Sequence, residues 1–104
     1  MLFPEFKKYL EEHSSGYEIF LIKATNMQNE KNKKRTGKTK KWTDVKIQRQ
    51  VEGMWKDVVL NAYNVIRAEK GVPIYNGQEI WTEFMNQHNF IEMFDEGMNE
   101  LELG

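Results

Sequence analysis

The sequence predicts a mainly helical fold, a small helical bundle around one long helix at about residues 43–70. Apolar residues recur at three- and four-residue spacing along most of the chain, which is typical of amphipathic helices. Residues that cap or end helices separate these runs. A chain of 104 residues is long enough for one hydrophobic core and too short for two, so we expect a single domain over residues 1–104.

Two segments precede the most basic part of the chain. Pro4 suits the first position of a helix and Gly16 closes the segment, which predicts a helix at about residues 4–14. Residues 17–30 have two interpretations. Ser15 with Glu18 three residues later is a capping-box pattern and favours a helix, whereas "YEIFLIKAT" is rich in residues that favour strands. We expect a helix, with a possible short strand at 17–24.

The long helix is the clearest element. Thr43 can cap its first turn, and Lys70 with Gly71 can end it, with Pro73 just beyond. Its apolar face comprises Ile47, Val51, Met54, Val58, Ala62 and Ile66, widened by Trp55, Val59 and Tyr63.

Two shorter helices follow. Asn76 with Glu79 three residues later marks the start of one, and "NQHN" at 86–89 breaks it. Asn89 can cap the last helix. Over the whole chain we expect mostly buried side chains at Phe6, Leu10, Phe20, Leu21, Val51, Met54, Trp55, Val58, Ile66, Ile80, Trp81, Phe84, Phe90 and Phe94.

Charge is distributed unevenly along the chain, although the net charge is only −1. Residues 26–50 contain nine Lys or Arg and two acids, a sum of +7. Residues 71–104, the acidic C-terminal part, contain seven acids and no Lys or Arg, a sum of −7. Such asymmetry indicates a charged partner or self-association.

The stretch "NEKNKKRTGKTKKW", residues 29–42, is the basic segment. We predict a loop or the tip of a helical hairpin there, because the apolar periodicity stops and Gly37 favours a turn. Clustered like charges repel, and a nucleic-acid backbone is a polyanion that relieves the repulsion. Lysine outnumbers arginine, which favours phosphate contact over base reading. The candidate nucleic-acid contacts are Lys31, Lys33, Lys34, Arg35, Lys38, Lys40, Lys41, Lys46 and Arg49. The competing interpretation is a solvated or protein-binding loop.

The acidic C-terminal part supports an alternative function. An acidic helix face is most simply the solvated side of a bundle helix. The same face could instead dock a basic protein partner, as in an inhibitor of the phage or mobile-element type. The candidate partner-binding residues under this interpretation are Glu92, Asp95, Glu96 and Glu100.

Catalytic and cofactor motifs are weak, so we expect a regulatory binding module that is not an enzyme and has no cofactor or metal. Zero cysteines exclude thiolate chemistry and cysteine-based zinc sites. The "GKT" at residues 37–39 lacks the second glycine of a phosphate-binding loop, because Asn32 stands at that position. Only two histidines are present, His13 and His88.

Location and assembly are also expectations. The N-terminal residues lack the apolar core of a signal peptide, and the longest strongly apolar run, Ile19 to Ile22, is far shorter than a membrane span, so we expect a cytoplasmic protein with no membrane partner. The lysine and asparagine bias is typical of AT-rich coding in bacteria or phages. A homodimer is expected for two reasons. The apolar face of the long helix is larger than the four short helices can readily cover, and the +7 and −7 segments can pair between subunits.

Overall fold

The computed structural model describes residues 1–36 and 41–103, which form five α-helices and no strand. The helices are α1 (Phe3–His13), α2 (Gly16–Lys33), α3 (Asp44–Lys70), α4 (Gly77–Gln87) and α5 (Phe90–Glu100). The predicted small helical bundle around one long helix is confirmed. Within the described ranges, no helix combines the length and the apolarity needed to cross a membrane.

Residues 17–24 are helical, so the strand alternative is wrong. A strand would place Phe20, Ile22 and Ala24 on one face. In the structure Phe20 and Ala24 are buried while Ile22 is 63% exposed, as a helix packed on one side requires. The local preference of this stretch for strands is overridden by packing against α3.

Helix α2 also extends further than the sequence suggests. It continues through Lys33, so residues 29–33 of the basic segment are helical and the described connecting residues are 34–36 and 41–43. Lys31 and Lys33 lie in its last turn, where positive charge is favoured by the helix dipole.

Helix α3 buries a stripe with mostly four-residue spacing. Each four-residue step turns about 40° beyond a full helical revolution, so the stripe winds around the helix. Its N-terminal half therefore faces α2, where Gln28 contacts Met54 and Phe20 packs on Trp55. Its C-terminal half faces α1 and α4. The buried residues are Ile47, Val51, Trp55, Val59, Tyr63 and Ile66.

The two ends of α3 are as predicted. The Thr43 hydroxyl accepts the Lys46 N–H at 3.2 Å. Gly71 has a φ of +63°, and its N–H donates to the Arg67 carbonyl at 2.7 Å. Glycine adopts this left-handed conformation without steric cost.

The caps predicted for the other helices are wrong in detail. Asn76 and Asn89 precede α4 and α5 in left-handed conformations, with φ of 55° and 51°, and neither side chain makes a capping bond. Asparagine tolerates this region well, so its role is conformational. At α2 the Ser15 side chain also makes no capping bond, and the Ser14 hydroxyl accepts the Gly16 N–H at 2.9 Å instead.

Half of the predicted core residues are fully buried, and the rest are half-buried around them. Helix α5 has no buried residue because it covers the bundle from outside, which leaves Phe90 and Phe94 half-buried. The half-buried members of the prediction are Leu21, Met54, Val58, Ile80, Phe84, Phe90 and Phe94. Buried hydrophobic residues that this prediction does not include are Met1, Ala24, Ile47, Val59, Tyr63 and Met85.

Polar contacts hold α5 against α2. The Lys23 ammonium donates to the carbonyls of Met98, Asn99 and Leu101 at 2.8, 2.6 and 2.8 Å. Met98 and Asn99 lie in the last turn of α5 and Leu101 is its C-cap, where backbone carbonyls lack the N–H partner four residues later that a continuing helix would supply. Lys23 thus adds three side-chain hydrogen bonds from a neighbouring helix to the end of α5, where the Leu101 N–H also donates to the Met98 carbonyl.

Alanine substitutions at Gly16 and Gly53 are expected to change the stability in opposite directions. A Cβ at Gly16 would lie 2.6 Å from the Phe94 ring, whereas one at Gly53 meets nothing within 4 Å. We expect Gly16→Ala to lower the free energy of unfolding by about 1–3 kcal/mol through overpacking. Gly53→Ala should raise it by about 0.5–1 kcal/mol, because alanine favours a helix interior. Urea unfolding measures both, and a Gly16→Ala protein as stable as wild type would contradict the close packing of α5.

The Tyr17–Glu52 contact predicts a pH-dependent stability. The Tyr17 hydroxyl donates to Glu52 Oε1 at 2.6 Å, and this bond, with burial and the nearby negative charge, raises the pKa of Tyr17 to about 12. An unfolded tyrosine titrates near 10.0. The contribution of Tyr17 is therefore complete below about pH 10 and is lost as the pH rises toward 12.

The measurement is the free energy of unfolding of wild type and Tyr17→Phe across this pH range. The difference between the two proteins should shrink from pH 9.5 to pH 12 (roughly the interval over which the phenol ionises). Tyr75→Phe is the matched control, since Tyr75 is 82% exposed. A difference that stays constant with pH would show that the phenol does not hold Glu52.

Candidate nucleic-acid interface

The last turn of α2 and the residues before α3 are joined by one asparagine side chain. Asn32 Oδ1 accepts the Trp42 backbone N–H at 2.7 Å, and Asn32 Nδ2 donates to the Trp42 carbonyl at 3.0 Å. The Asn32 side-chain amide thus bonds both the backbone N–H and the backbone carbonyl of Trp42, as a paired backbone segment would. This pairing fixes Trp42 against α2. We call the described residues 31–36 and 41–49 the basic end.

The Trp42 ring holds two of the predicted cations. The Arg35 guanidinium carbon lies 3.7 Å from the ring centroid, and the Lys46 ammonium lies 4.7 Å from it. Both distances are within the range of a cation–π attraction, about 6 Å. Thr43 orders the same turn by capping the Lys46 N–H. Two cations are therefore held at defined positions.

Most cations of the basic end are exposed, and few have an acidic partner. Lys33 pairs with Glu30 at 3.1 Å, and the remaining ion pairs of the described chain, Lys7–Glu11 and Lys8–Glu12, lie on α1. Within residues 1–36 and 41–103, the other basic-end cations therefore make no ion pair. The exposed cations are Lys31, Lys33, Lys34, Lys41, Lys46 and Arg49, while Arg35 is half-buried on Trp42. Lys38 and Lys40 lie outside the described residues.

The acidic candidates occupy α5. Glu92, Glu96 and Glu100 are exposed and follow one another at four-residue spacing, so they form one stripe. Asp95 differs from them, because it is half-buried and accepts a hydrogen bond from the Ser14 hydroxyl. Asp95 thus ties α5 to the start of α2 and does not extend the stripe.

Potential catalytic and metal-binding side chains are dispersed in the described part of the chain. His13 packs on the Tyr9 ring at 4.3 Å and His88 on the Phe84 ring at 4.4 Å, each against its own helix. Across residues 1–36 and 41–103, no three His, Cys, Asp or Glu residues come together in a group that could hold a metal ion.

Sequence reasoning missed Asn32 and Trp42, the two uncharged residues that organise the basic end. A tryptophan beside six lysines and Arg35 is an unusual neighbour and is the one signal that could have indicated a cation–π site. Asn32 carries no comparable signal, because its role depends on the position at which α2 meets the chain entering α3.

Asn32 predicts a measurable loss of local structure. Asn32→Ala removes both bonds to the Trp42 backbone, and we expect the free energy of unfolding to fall by about 1–3 kcal/mol. Hydrogen exchange at the Trp42 amide should accelerate in the same variant. Asn29→Ala is the control, since this exposed neighbour on α2 reports the gain in helix propensity alone. Equal effects of the two substitutions would contradict the role of Asn32.

Comparison with known proteins gives no assignment. No protein-family model matches the chain, and no curated protein or solved structure matches it.

Proposed function

We propose that this chain is a non-enzymatic regulatory binding module whose basic end contacts the phosphate backbone of nucleic acid. The observation that carries the proposal is the group of exposed cations at the basic end, of which only Lys33 has an acidic partner among the described residues. The basic end has seven described cations and one acid, Asp44, and such an excess of positive charge raises the local electrostatic potential and favours a polyanion.

The residue types favour backbone contact over base reading. Lysine presents a compact ammonium group that binds phosphate as a point charge, whereas reading of guanine relies on the bidentate fork of arginine. Lysines outnumber arginines in the basic end, and the one arginine of the loop, Arg35, is stacked on Trp42. Binding should therefore depend on charge and salt more than on nucleotide sequence.

The stacking of Arg35 and Lys46 on the Trp42 ring supports the same function. Ordering a long side chain at an interface costs about 0.5–1.5 kcal/mol. Arg35 and Lys46 are already positioned by the indole ring, so part of this cost is met in the unbound protein. The two residues then offer phosphate oxygens a pair of cations at fixed separation.

The test is the salt dependence of binding to a duplex. Replacing Lys31, Lys34, Lys41, Lys46 and Arg49 together with alanine removes five exposed cations. With about five phosphates neutralised, log affinity of the wild type should fall with log salt at a slope of about −4.5, and the variant should lose most of this slope. The loss should be the same for duplexes of unrelated sequence.

The control is a second five-cation variant, which changes the net charge by the same amount but at residues outside the basic end. Lys7, Lys8, Lys56, Arg67 and Lys70 replaced with alanine remove five exposed or half-exposed cations outside the basic end. This variant should retain the slope of the wild type. Equal weakening by both variants would mean that net charge, and not the basic end, governs binding. Absence of duplex binding at low salt would overturn the proposal.

The stripe on α5 supports a second candidate function, the capture and inhibition of a basic protein partner. Glu92, Glu96 and Glu100 are exposed on one side of one helix, and none makes an ion pair within the described residues. Reversing all three to lysine should abolish partner capture, while the five-cation variant of the basic end should leave it intact. The nucleic-acid function predicts the opposite pattern.

Assembly and location complete the proposal. We assign the protein to the cytoplasm, where nucleic acid is an abundant polyanion. We also propose a homodimer, because two copies on one nucleic acid gain affinity through effective concentration without any new phosphate contact.

A further inference from the structure

A hollow of about 490 Å³ opens along α2 beside the basic end. Two neighbouring ridges of α2, each with four-residue spacing, form one side of it, and Leu101 and Leu103, which follow α5, line it as well. Its α2 residues are Lys23, Asn26, Met27, Glu30, Lys31 and Lys34. Lys31 and Lys34 also belong to the basic end, so the hollow is continuous with the surface proposed to contact phosphate.

The segment that follows α5 is held against α2. The Lys23 ammonium donates to the Leu101 carbonyl at 2.8 Å, in addition to its bonds with two carbonyls of α5. Leu101 and Leu103 are half-buried and pack against the core. The hollow is therefore formed in the unbound protein, and a ligand that enters it loses little affinity to the ordering of the chain.

The free cations of the hollow lie where it meets the basic end. Lys31 and Lys34 are exposed and make no ion pair among the described residues, so a phosphate can approach both. The Lys23 ammonium, two turns earlier on α2, is already occupied by three backbone carbonyls. The acid in the lining, Glu30, is paired with Lys33 at 3.1 Å. An anionic group is therefore favoured beside Lys31 and Lys34.

The rest of the lining favours a flat group with an apolar face and a polar edge. Met27 lies one turn before Lys31, and with Leu101 and Leu103 it supplies the apolar part of the lining. A thioether makes favourable contacts with aromatic rings. Asn26, on the neighbouring ridge, offers an amide that can both donate and accept hydrogen bonds. An aromatic ring system with polar edge atoms that is joined to a phosphate is a nucleotide.

Base pairing determines which nucleotide can enter the hollow. Within a duplex the faces and edges of a base are covered, whereas an unpaired base in a loop, a bulge or a single-stranded end can be splayed out toward a protein. A phosphate held by Lys31 and Lys34 would place the base attached to it at the hollow. The volume also suits such a ligand, since small-molecule sites occupy about 300–1,000 Å³.

We propose that the hollow lined by Met27, Leu101 and Leu103 binds an unpaired base of the nucleic acid whose phosphates lie on Lys31 and Lys34. The inference rests on the proposed function and deepens it, because it adds recognition of an unpaired nucleotide to recognition of backbone charge. A nucleic acid with an unpaired nucleotide should therefore bind more tightly than a fully paired duplex of the same length.

The experiment compares two bulged duplexes that carry the same number of phosphates. One has a single bulged adenosine, and the other has an abasic residue at the same position; each is prepared as DNA and as RNA. Wild type should bind the adenosine bulge about 5- to 10-fold more tightly than the abasic bulge, which is the size expected of one thioether–aromatic contact. The abasic bulge and the fully paired duplex should bind alike.

Variants of the lining then locate the preference. Met27→Ala should remove the preference for adenosine and leave binding of the abasic bulge and its salt slope unchanged, because Met27 carries no charge. Met93→Ala is the matched control, at a methionine of α5 that is 65% exposed and outside the hollow, and it should keep the preference. Asn26→Ala, at an exposed residue of the lining, should weaken the preference without lowering the melting temperature. It serves as the second variant if Met27→Ala unfolds.

The other outcomes overturn the inference in distinguishable ways. Equal binding of both bulges by wild type would reject the base site and leave the phosphate contact in place. A preference that survives both Met27→Ala and Asn26→Ala would place the base elsewhere on the protein. Absence of binding to every ligand at low salt would reject the proposed function together with this inference, and would leave an acidic protein segment as the ligand of the hollow.

Discussion

The Trp55 indole is the contact on which the arrangement of the helices depends. Its ring is fully buried and packs against Tyr17 and Phe20 of α2 and Phe94 of α5, with centroid separations of 5.2, 5.7 and 5.9 Å. Its N–H points at Glu11 of α1, 3.5 Å away. One side chain of α3 thus contacts three other helices, and each aromatic pair contributes about 0.5–1.5 kcal/mol beyond the area it buries. Sliding α2 by one turn, about 5.4 Å, would break both of its ring contacts.

This register also determines where the basic end forms. Asn32 follows Phe20 by 12 residues along α2, and Trp42 precedes Trp55 by 13 residues on the α3 side. At 1.5 Å per residue both separations are about 18–20 Å along the helix axis. Because the two segments run antiparallel and have nearly the same length, Asn32 lies beside Trp42, and its side chain forms the two hydrogen bonds with the Trp42 backbone. The cations of the basic end are therefore positioned by packing in the middle of the bundle, and the platform for Arg35 is a consequence of the core.

The sequence predicted those features that depend on neighbours along the chain. Helical periodicity identified the helices, and Thr43 and Gly71 ended α3 where expected, because a cap acts within one turn. Periodicity did not separate buried from half-buried residues, since that depends on whether another helix covers the face from outside. Asn32 and Lys23 escaped prediction for a related reason. Both bond to backbone groups 10 to 78 residues away, and such partners are defined only once the helices have packed.

The net charge of the chain is only −1, and this value does not describe the electrostatic potential that a polyanion would experience at the basic end. Among the described residues the ion pairs are local, three or four residues apart on one helix, so the basic and acidic regions do not neutralise each other through direct contact. Coulombic attraction between exposed charges is screened within about 8–10 Å in physiological salt. Under the proposed function a phosphate near Trp42 therefore responds to Arg35, Lys46 and their immediate neighbours, and the net charge of −1 matters little. Steering from a distance would be weak in such a protein. Its affinity would come from the few phosphates in direct contact, which is why the geometry fixed by Asn32 and Trp42 matters as much as the number of lysines.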